Sequence, residues 1–493
     1  MFTDYTYQDW MRQPDKVRAA LSVVSSYRHS DDFEKAGIAQ RYYFAENDAV
    51  SHKVVLRAGV VETDVKQDGK PTGEKKQTVT NEEIPGNRIY SDFFRRFVLQ
   101  ESQYLLGNGV TLDEEAKARL GNGFDTALAQ MGVWALVHGV CWGYWNYDHI
   151  EVLRAYTDEY SGFVALLDEI TGAAMVGVQF WQLSRNKPLM IRVFETDGVT
   201  LMGQVDEGMQ IIEEKRPYKQ TVFHDSTGSM VIGGENYNLL PVIPLYANEM
   251  KRTELSLSIR SKIDLYDRIL SDFGDNLDKA NDVYWVLNNY GGTTRDIAMM
   301  LETIHKLKAI VNVSDGSNSS TATPQSFEVP YAARSTALDL LEKALYKDYM
   351  ATNMSEITGG SLTNVAIETA TMNLNLKVDA FEWQVFSFVQ GVLSVAGIET
   401  ERISFQRRAI ANGSEVIQNI YTAQGDLDRE TRLKLNPMVA NEDIPEILER
   451  LDAEETVGLS SIEAIDKKLA ENGAETGHTD GSQGEEEETP TET

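Results

Sequence analysis

Asp264 and Asp267 stand three residues apart in SKIDLYDRIL, a spacing at which two carboxylates share one helix face. Such a pair could hold a divalent metal or divide acid and base roles. Further acids follow at Asp272, Asp275 and Asp278, and in so acidic a chain this spacing is ordinary for a helix side turned to water. The sequence has no GxxxxGK[ST] phosphate loop, no GxGxxG after a strand, no HExxH and no GxSxG. The seven histidines are scattered; the closest pair, His138 and His149, falls on different predicted elements. Cys141 is the single cysteine, which rules out an internal disulfide framework and paired-cysteine zinc sites, and fits a reducing cytosol. The expectation is therefore no catalytic residue, no metal and no cofactor. A metal-dependent nucleic-acid enzyme with a dispersed site, using Asp264 or Asp267, stands as a rival.

The charge balance points elsewhere. Acids number 76 against 46 bases, a net charge of −30, and the segment from Glu471 onward holds eight acids with no Lys or Arg. About −22 stays on the body. Proteins that grip DNA need basic patches, because counterion release supplies most of that affinity. This chain should repel DNA on average. Solubility alone accounts for such a surface; so does a surface that DNA must slide past without sticking. The first ten residues are polar and acidic, unlike a signal peptide. The longest apolar-leaning run, Met131–Trp145, is broken by His138 and glycines and is too short to span a bilayer, so no membrane partner is expected.

The elements that would position these residues follow from periodicity. The first eighty residues look irregular, with Asp64–Lys76 an exposed hairpin tip or loop. After IPGNR, Phe93, Phe97, Tyr104 and Leu105 form one helix face, and Glu114–His138 is also helical, ending at Gly139. Short strands dominate Cys141–Tyr246: Phe163–Leu167 and Met175–Trp181 flank the turn DEITGA, with more at 191–194, 199–202, 210–212, 221–223 and 230–232. The chain then turns helical. Ile259, Ile263, Tyr266, Leu270, Phe273 and Leu277 recur in steps of four and three, one apolar stripe on a helix of about 25 residues. Its opposite, solvated face carries Asp264, Asp267, Arg268, Asp272, Asp275, Asp278 and Lys279. Strands are expected at 283–287 and 309–313, with a short helix between and the polar loop DGSNSSTATP after. A second helix, 332–350, uses Ala333, Ala337, Leu340, Leu341, Ala344 and Leu345. Thr358, Gly359, Gly360, Ser361, Leu362, Thr363 and Asn364 break the pattern, reading as an ordinary connector or as an uncharged loop able to touch a polyanion without holding it. A long helix runs from about 365 to 396, short helices occupy 403–469, and the tail beyond 471 has a disordered composition. The fold class is α+β.

Residues 239–292 carry a resemblance: Ile243-Pro244, Asn248-Glu249, Thr253-Glu254, Ile263-Asp264-Leu265-Tyr266-Asp267, Ser271-Asp272, Asn276 and Tyr290-Gly291, in that order. The chain resembles the portal proteins of tailed bacteriophages with long noncontractile tails. Ile84–Tyr104 followed by LLGNGV, and Arg429-Glu430-Thr431 with Asn436-Pro437, are similar to the family's opening helix and closing segment. The likeness runs from about residue 30 to 455; MVANEDIPEI departs from the usual acidic spacing after the proline. The resemblance implies a portal-like α+β subunit and a homo-oligomeric ring of twelve at one capsid vertex of the virion, assembled in the host cytoplasm. Double-stranded DNA would pass through without sequence specificity. Terminase, major capsid or scaffolding protein and tail adaptor proteins would be its partners. It also implies a mixed α/β wing (1–251), stem helices at 252–282 and 332–350 and a small α/β clip (283–331). A tunnel loop with the long wing helix (351–404), a helical crown (405–470) and the acidic tail (471–493) would follow. Thr358–Asn364 would be the tunnel loop, and the stripe from Ile259 to Leu277 would pack the stem. Another virion structural component, such as a minor capsid or connector protein, is the nearer rival.

Overall fold

The computed structural model describes residues 3–67, 70–205, 208–225, 228–280, 284–288, 321–325, 331–357, 364–408, 413–422, 427–436, 439 and 444–453. The first fifty residues are helical, not irregular: α1 (Tyr7–Arg12), α2 (Lys16–Arg28), α3 (Asp31–Tyr43) and α4 (Asp48–Ser51). The first three each begin at a polar cap. Thr6 and Asp9 form a reciprocal capping box, while Asp15 and Ser30 accept from the Arg18 and Phe33 amides. Strands β1 (Val54–Gln67) and β2 (Lys70–Pro85) then pair antiparallel, so Asp64–Lys76 lies at the far end of a hairpin, as its Gly-Pro-Lys content suggests. Helix α5 (Phe93–Leu106) buries Phe93, Phe97 and Leu105. After β3 (Val110–Thr111), the helix expected over 114–138 is two helices, α6 (Glu114–Leu120) and α7 (Phe124–His138). Gly121 separates them with a φ of 83°, and Gly139 ends α7 in the left-handed region at φ 90°.

Next come β4 (Val140–Asn146), β5 (His149–Arg154), β6 (Tyr156–Asp158), β7 (Ser161–Leu167), β8 (Ala174–Trp181), β9 (Met190–Glu195), β10 (Gly198–Val205) and β11 (Gly208–Arg216). Strands β6 to β11 make an antiparallel meander in chain order. A separate hairpin, β12 (Lys219–Asp225) and β13 (Gly228–Glu235), precedes β14 (Val242–Tyr246), which returns to pair with β4. Side chains alternate across β4, so Cys141 and Trp145 enter one core while Trp142 and Tyr144 enter another. The second core joins α1–α3 to the meander; the first is helical, formed by α5, α7 and the helices that follow.

Those helices are α8 (Leu257–Ala280), α9 (Tyr331–Tyr349), the short α10 (Met354–Ile357) and the 33-residue α11 (Asn364–Ala396). Between α8 and α9, strand β15 (Tyr284–Asn288) pairs antiparallel with β16 (Thr321–Gln325), so the expected polar loop already enters a strand at Thr321. The strand expected at 309–313 and the short helix before it lie outside the described residues. Strand β17 (Ser404–Phe405) closes on β3. The chain divides into two units, 1–356 with 370–409, and 357–369 with 410–493. In the second, α12 (Gly413–Thr422), α13 (Arg429–Leu435) and a helical stretch at 444–453 match the expected short helices. Ile444 is buried there, with Ile447, Leu448 and Leu451 half-buried beside it. The acidic tail lies outside the described residues. Among the described residues no helix is long and apolar enough to cross a membrane.

Candidate functional site

Helices α8 and α9 form an antiparallel pair. At one end the Ser258 hydroxyl donates to Asp348 (2.8 Å), with Lys262 on the same carboxylate; at the other, Phe273 meets Tyr331 with ring centres 5.9 Å apart. The stripe on α8 is graded. Ile259 and Ile263 are buried inside the chain; Tyr266 sets its ring edge-on to Phe93 at 5.0 Å. Leu270 and Phe273 are half-buried, and Leu277 is 48% exposed. On α9, Leu345 and Tyr349 face inward, but Leu340, expected on the same apolar face, points outward at 63% exposure.

The face of α8 expected to be wet is so only in part: Arg268, Asp272 and Asp278 are exposed, but its other edge is covered. Asp267 and Ser271 are fully buried and Asp275 nearly so. The extended segment Asn87–Ser91 crosses them, and its alternate amides donate to successive turns: Asn87 N–H to Asp275 (2.7 Å), Ile89 N–H to Ser271 Oγ (3.0 Å), Ser91 N–H to Asp267 (3.0 Å). The match is metric: four helical residues rise about 6 Å and two extended residues about 6.6 Å, so every second amide meets every fourth side chain. Asn47 donates to the second Asp267 oxygen, and Lys53 bridges Asp272 and Asp275 at 2.7 and 2.6 Å. Burial pushes the Asp267 carboxyl up, and the Ser91 and Asn47 bonds pull against it. Asp264 accepts from the Tyr42 hydroxyl. The two carboxylates offered to a metal thus both act as structural acceptors, Asp267 wholly buried and Asp264 half-buried. Among the described residues no group of His, Cys, Asp and Glu could hold a metal ion. His138 is buried against Trp134, and its burial pushes it down to about 3, too low for a base near neutrality.

A second polar constellation joins α5, α9 and α11. Glu101 lies at 1% exposure on the apolar face of α5, midway between Phe97 and Leu105. It accepts from the Tyr349 hydroxyl at 2.8 Å and faces the Lys377 ammonium at 3.3 Å. Lys377 also reaches Glu254 (2.7 Å) and the Tyr349 carbonyl (3.2 Å), and sits 3.3 Å from the centre of the Tyr349 ring. Burial raises Glu101 to about 7, against the opposing pull of Lys377. Next to Glu101, Gln100 holds the Thr352 backbone at both its N–H (3.0 Å) and its C=O (2.9 Å), and one turn on Tyr104 donates to Asn375 (2.8 Å). Helix α5 therefore grips the chain on both sides of residues 353–374. The sequence did hold a signal: a Glu and a Gln amid a Phe-rich apolar stripe. Thr358, Gly359, Gly360, Ser361, Leu362 and Thr363 lie outside the described residues, and Asn364 opens α11.

The family model of the SPP1 Gp6-like phage portal proteins matches residues 25–457. This chain belongs to that portal family. Two portal proteins are similar to it along most of its length. That of Clostridium phage phiCD119 is 23% identical over 388 residues, covering 75% of this chain and 78% of the relative. That of Bacillus phage SPP1 is 23% identical over 412 residues, covering 77% and 78%. The function is accordingly that of a phage portal, a structural component of the virion capsid. For a portal family member, the buried Asp267, Ser271 and Asp275 take on meaning: the Ile263–Asp267 and Ser271-Asp272 motifs seat the Asn87–Ser91 strap on the long helix.

Proposed function

We propose that twelve copies of this chain close into a ring at one capsid vertex and that double-stranded DNA passes through its centre during packaging and ejection. The observation that carries this reading is the antiparallel α8/α9 pair, fastened to the α+β body by the Asn87–Ser91 strap and the Glu101–Lys377 node. Such a pair can stand as a stem while the body serves as the wing. Strands β15 and β16 belong to the clip that receives the terminase motor and later the tail adaptors, and residues 405–470 form the crown toward the capsid interior. Scaffolding or major capsid protein holds the ring's rim, and assembly takes place in the host cytoplasm. The ring contacts between copies include the less buried end of the stripe, Leu270, Phe273 and Leu277.

Charge supports passage without capture. Twelve copies carry roughly −360, screened beyond about 8 Å at physiological salt but felt close to the surface. DNA so placed is not held, and the force that moves it comes from a separate ATPase, consistent with the missing phosphate-binding loop. The uncharged segment Thr358–Asn364, entered from a backbone that Gln100 clamps at Thr352, is the tunnel loop touching DNA. Deleting Gly359–Thr363 tests this: rings of normal size should form while packaged DNA falls or leaks from particles. Particles that package and retain DNA normally would overturn the loop's role.

A further inference from the structure

Helix α11 carries apolar side chains on two opposite sides, and the described residues cover only one of them. Leu374, Val378, Phe381 and Val385 are at most 1% exposed and pack into the helical core. At about 100° per residue, Met372, Leu376 and Trp383 lie diametrically across the helix from them, 59%, 53% and 69% exposed. Ala380, also exposed, continues the same stripe. A helix with a second apolar face ordinarily has that face covered, and an exposed tryptophan, leucine and methionine in register are unusual on a solvated surface.

A second outward face lies on α9. There Leu340 is exposed on the side opposite Leu345, with Lys343 and Lys347 exposed along the same side. Among the described residues neither lysine makes an ion pair. The α11 face carries the matching sign, since Asp379, half-exposed, stands beside Leu376 and shares the single Arg407 with Glu382, which leaves one negative charge over. A closed ring built by repeating one rotation needs two different, complementary patches on every copy. These two faces have that character: one is a broad apolar stripe edged by an acid, the other a leucine followed along the helix by two lysines.

We infer that the Met372–Leu376–Trp383 face of α11 docks on the Leu340–Lys343–Lys347 face of α9 in a second copy of this chain. The inference rests on the ring proposed above and names the surface that joins its subunits.

Mixing of singly broken copies provides the test. Leu376→Asp/Trp383→Asp and Leu340→Asp should each yield folded protein, with wild-type circular dichroism, that sediments as a monomer where the wild type forms rings. Each variant keeps one intact face. Mixed in equal amounts they should therefore form dimers and stop there, because the dimer's two remaining faces are the broken ones. Rings at the wild-type level from Leu376→Asp/Trp383→Asp would overturn the docking face, as would a mixture that stays monomeric. A wild-type chain that forms no rings would instead sink the ring itself, so the two failures are distinct.

Discussion

Replacing Lys377 by methionine keeps the aliphatic stem and removes the charge from the node that ties α5 to α9 and α11. Lys377 is 14% exposed, Glu101 1% and Glu254 17%, so screening by water is slight. Taking one partner from a buried ion pair costs about 3–5 kcal/mol, because the other charge stays behind without compensation. Here two carboxylates stay behind. At about 1.4 kcal/mol per tenfold, the loss amounts to roughly two to three and a half orders of magnitude in local opening. Amide hydrogen exchange over residues 370–390 and 94–105 reads this directly and avoids assuming two-state unfolding for a large oligomer. The pH dependence has a definite sign. A carboxyl raised on folding stabilises fully below its unfolded value of 4.5 and loses that contribution as the pH climbs through its folded value, about 7 for Glu101. Removing Lys377 deletes the main influence lowering Glu101, so the variant's defect should be large at pH 8 and much smaller at pH 6. Exchange rates, corrected for intrinsic chemistry, that differ from wild type by less than about fivefold at pH 8, or equally at both pH values, would refute the node as a structural tie.

The strap offers an independent prediction. Asp267→Ala leaves the Ser91 amide and one of the two Asn47 side-chain N–H groups without an acceptor at a buried site, so about 2–4 kcal/mol of local stability should vanish and exchange at residues 87–91 should accelerate. Unchanged protection there would show that water replaces the carboxylate at no cost. Phe273→Asp or Leu270→Asp, on the half-buried stretch of α8, should abolish rings while leaving α5 protected; intact rings by sedimentation would contradict a packed stem. Purified wild-type protein should bind duplex DNA only weakly at 150 mM salt, and a fluorescence-anisotropy affinity at the level of a basic DNA-binding protein would contradict passage without capture.

Much of the helical half was legible because its apolar spacing is regular. The step from Ile259 to Leu277 is an unbroken series, and α5 shows itself through Phe93, Phe97 and Leu105. The polar face of α8 was partly misread for a definite reason: polar side chains at i, i+4 and i+8, here Asp267, Ser271 and Asp275, look identical whether they meet water or an extended strap. Only the segment 87–91, some 180 residues earlier, decides between the two. The first fifty residues were misread because their helices last about three turns and break at polar caps such as Asp15 and Ser30, which resemble loop composition. Their apolar spacing (Ala19, Ala20, Val23, Val24, Tyr27) is helical once those caps are recognised. Leu340 was assigned to the inner face of α9 because alanines all round that helix leave its periodicity nearly flat. The family motifs fared better, since order along the chain survives where any single motif is weak.

Electron micrographs of the purified protein, sorted into class averages, bear most directly on whether copies of this chain enclose a channel. Annular particles with a central hole and one closed rotational symmetry are expected. A population of single copies at every concentration and salt tried, with no annular feature at the vertex of particles that contain the protein, would contradict the portal ring.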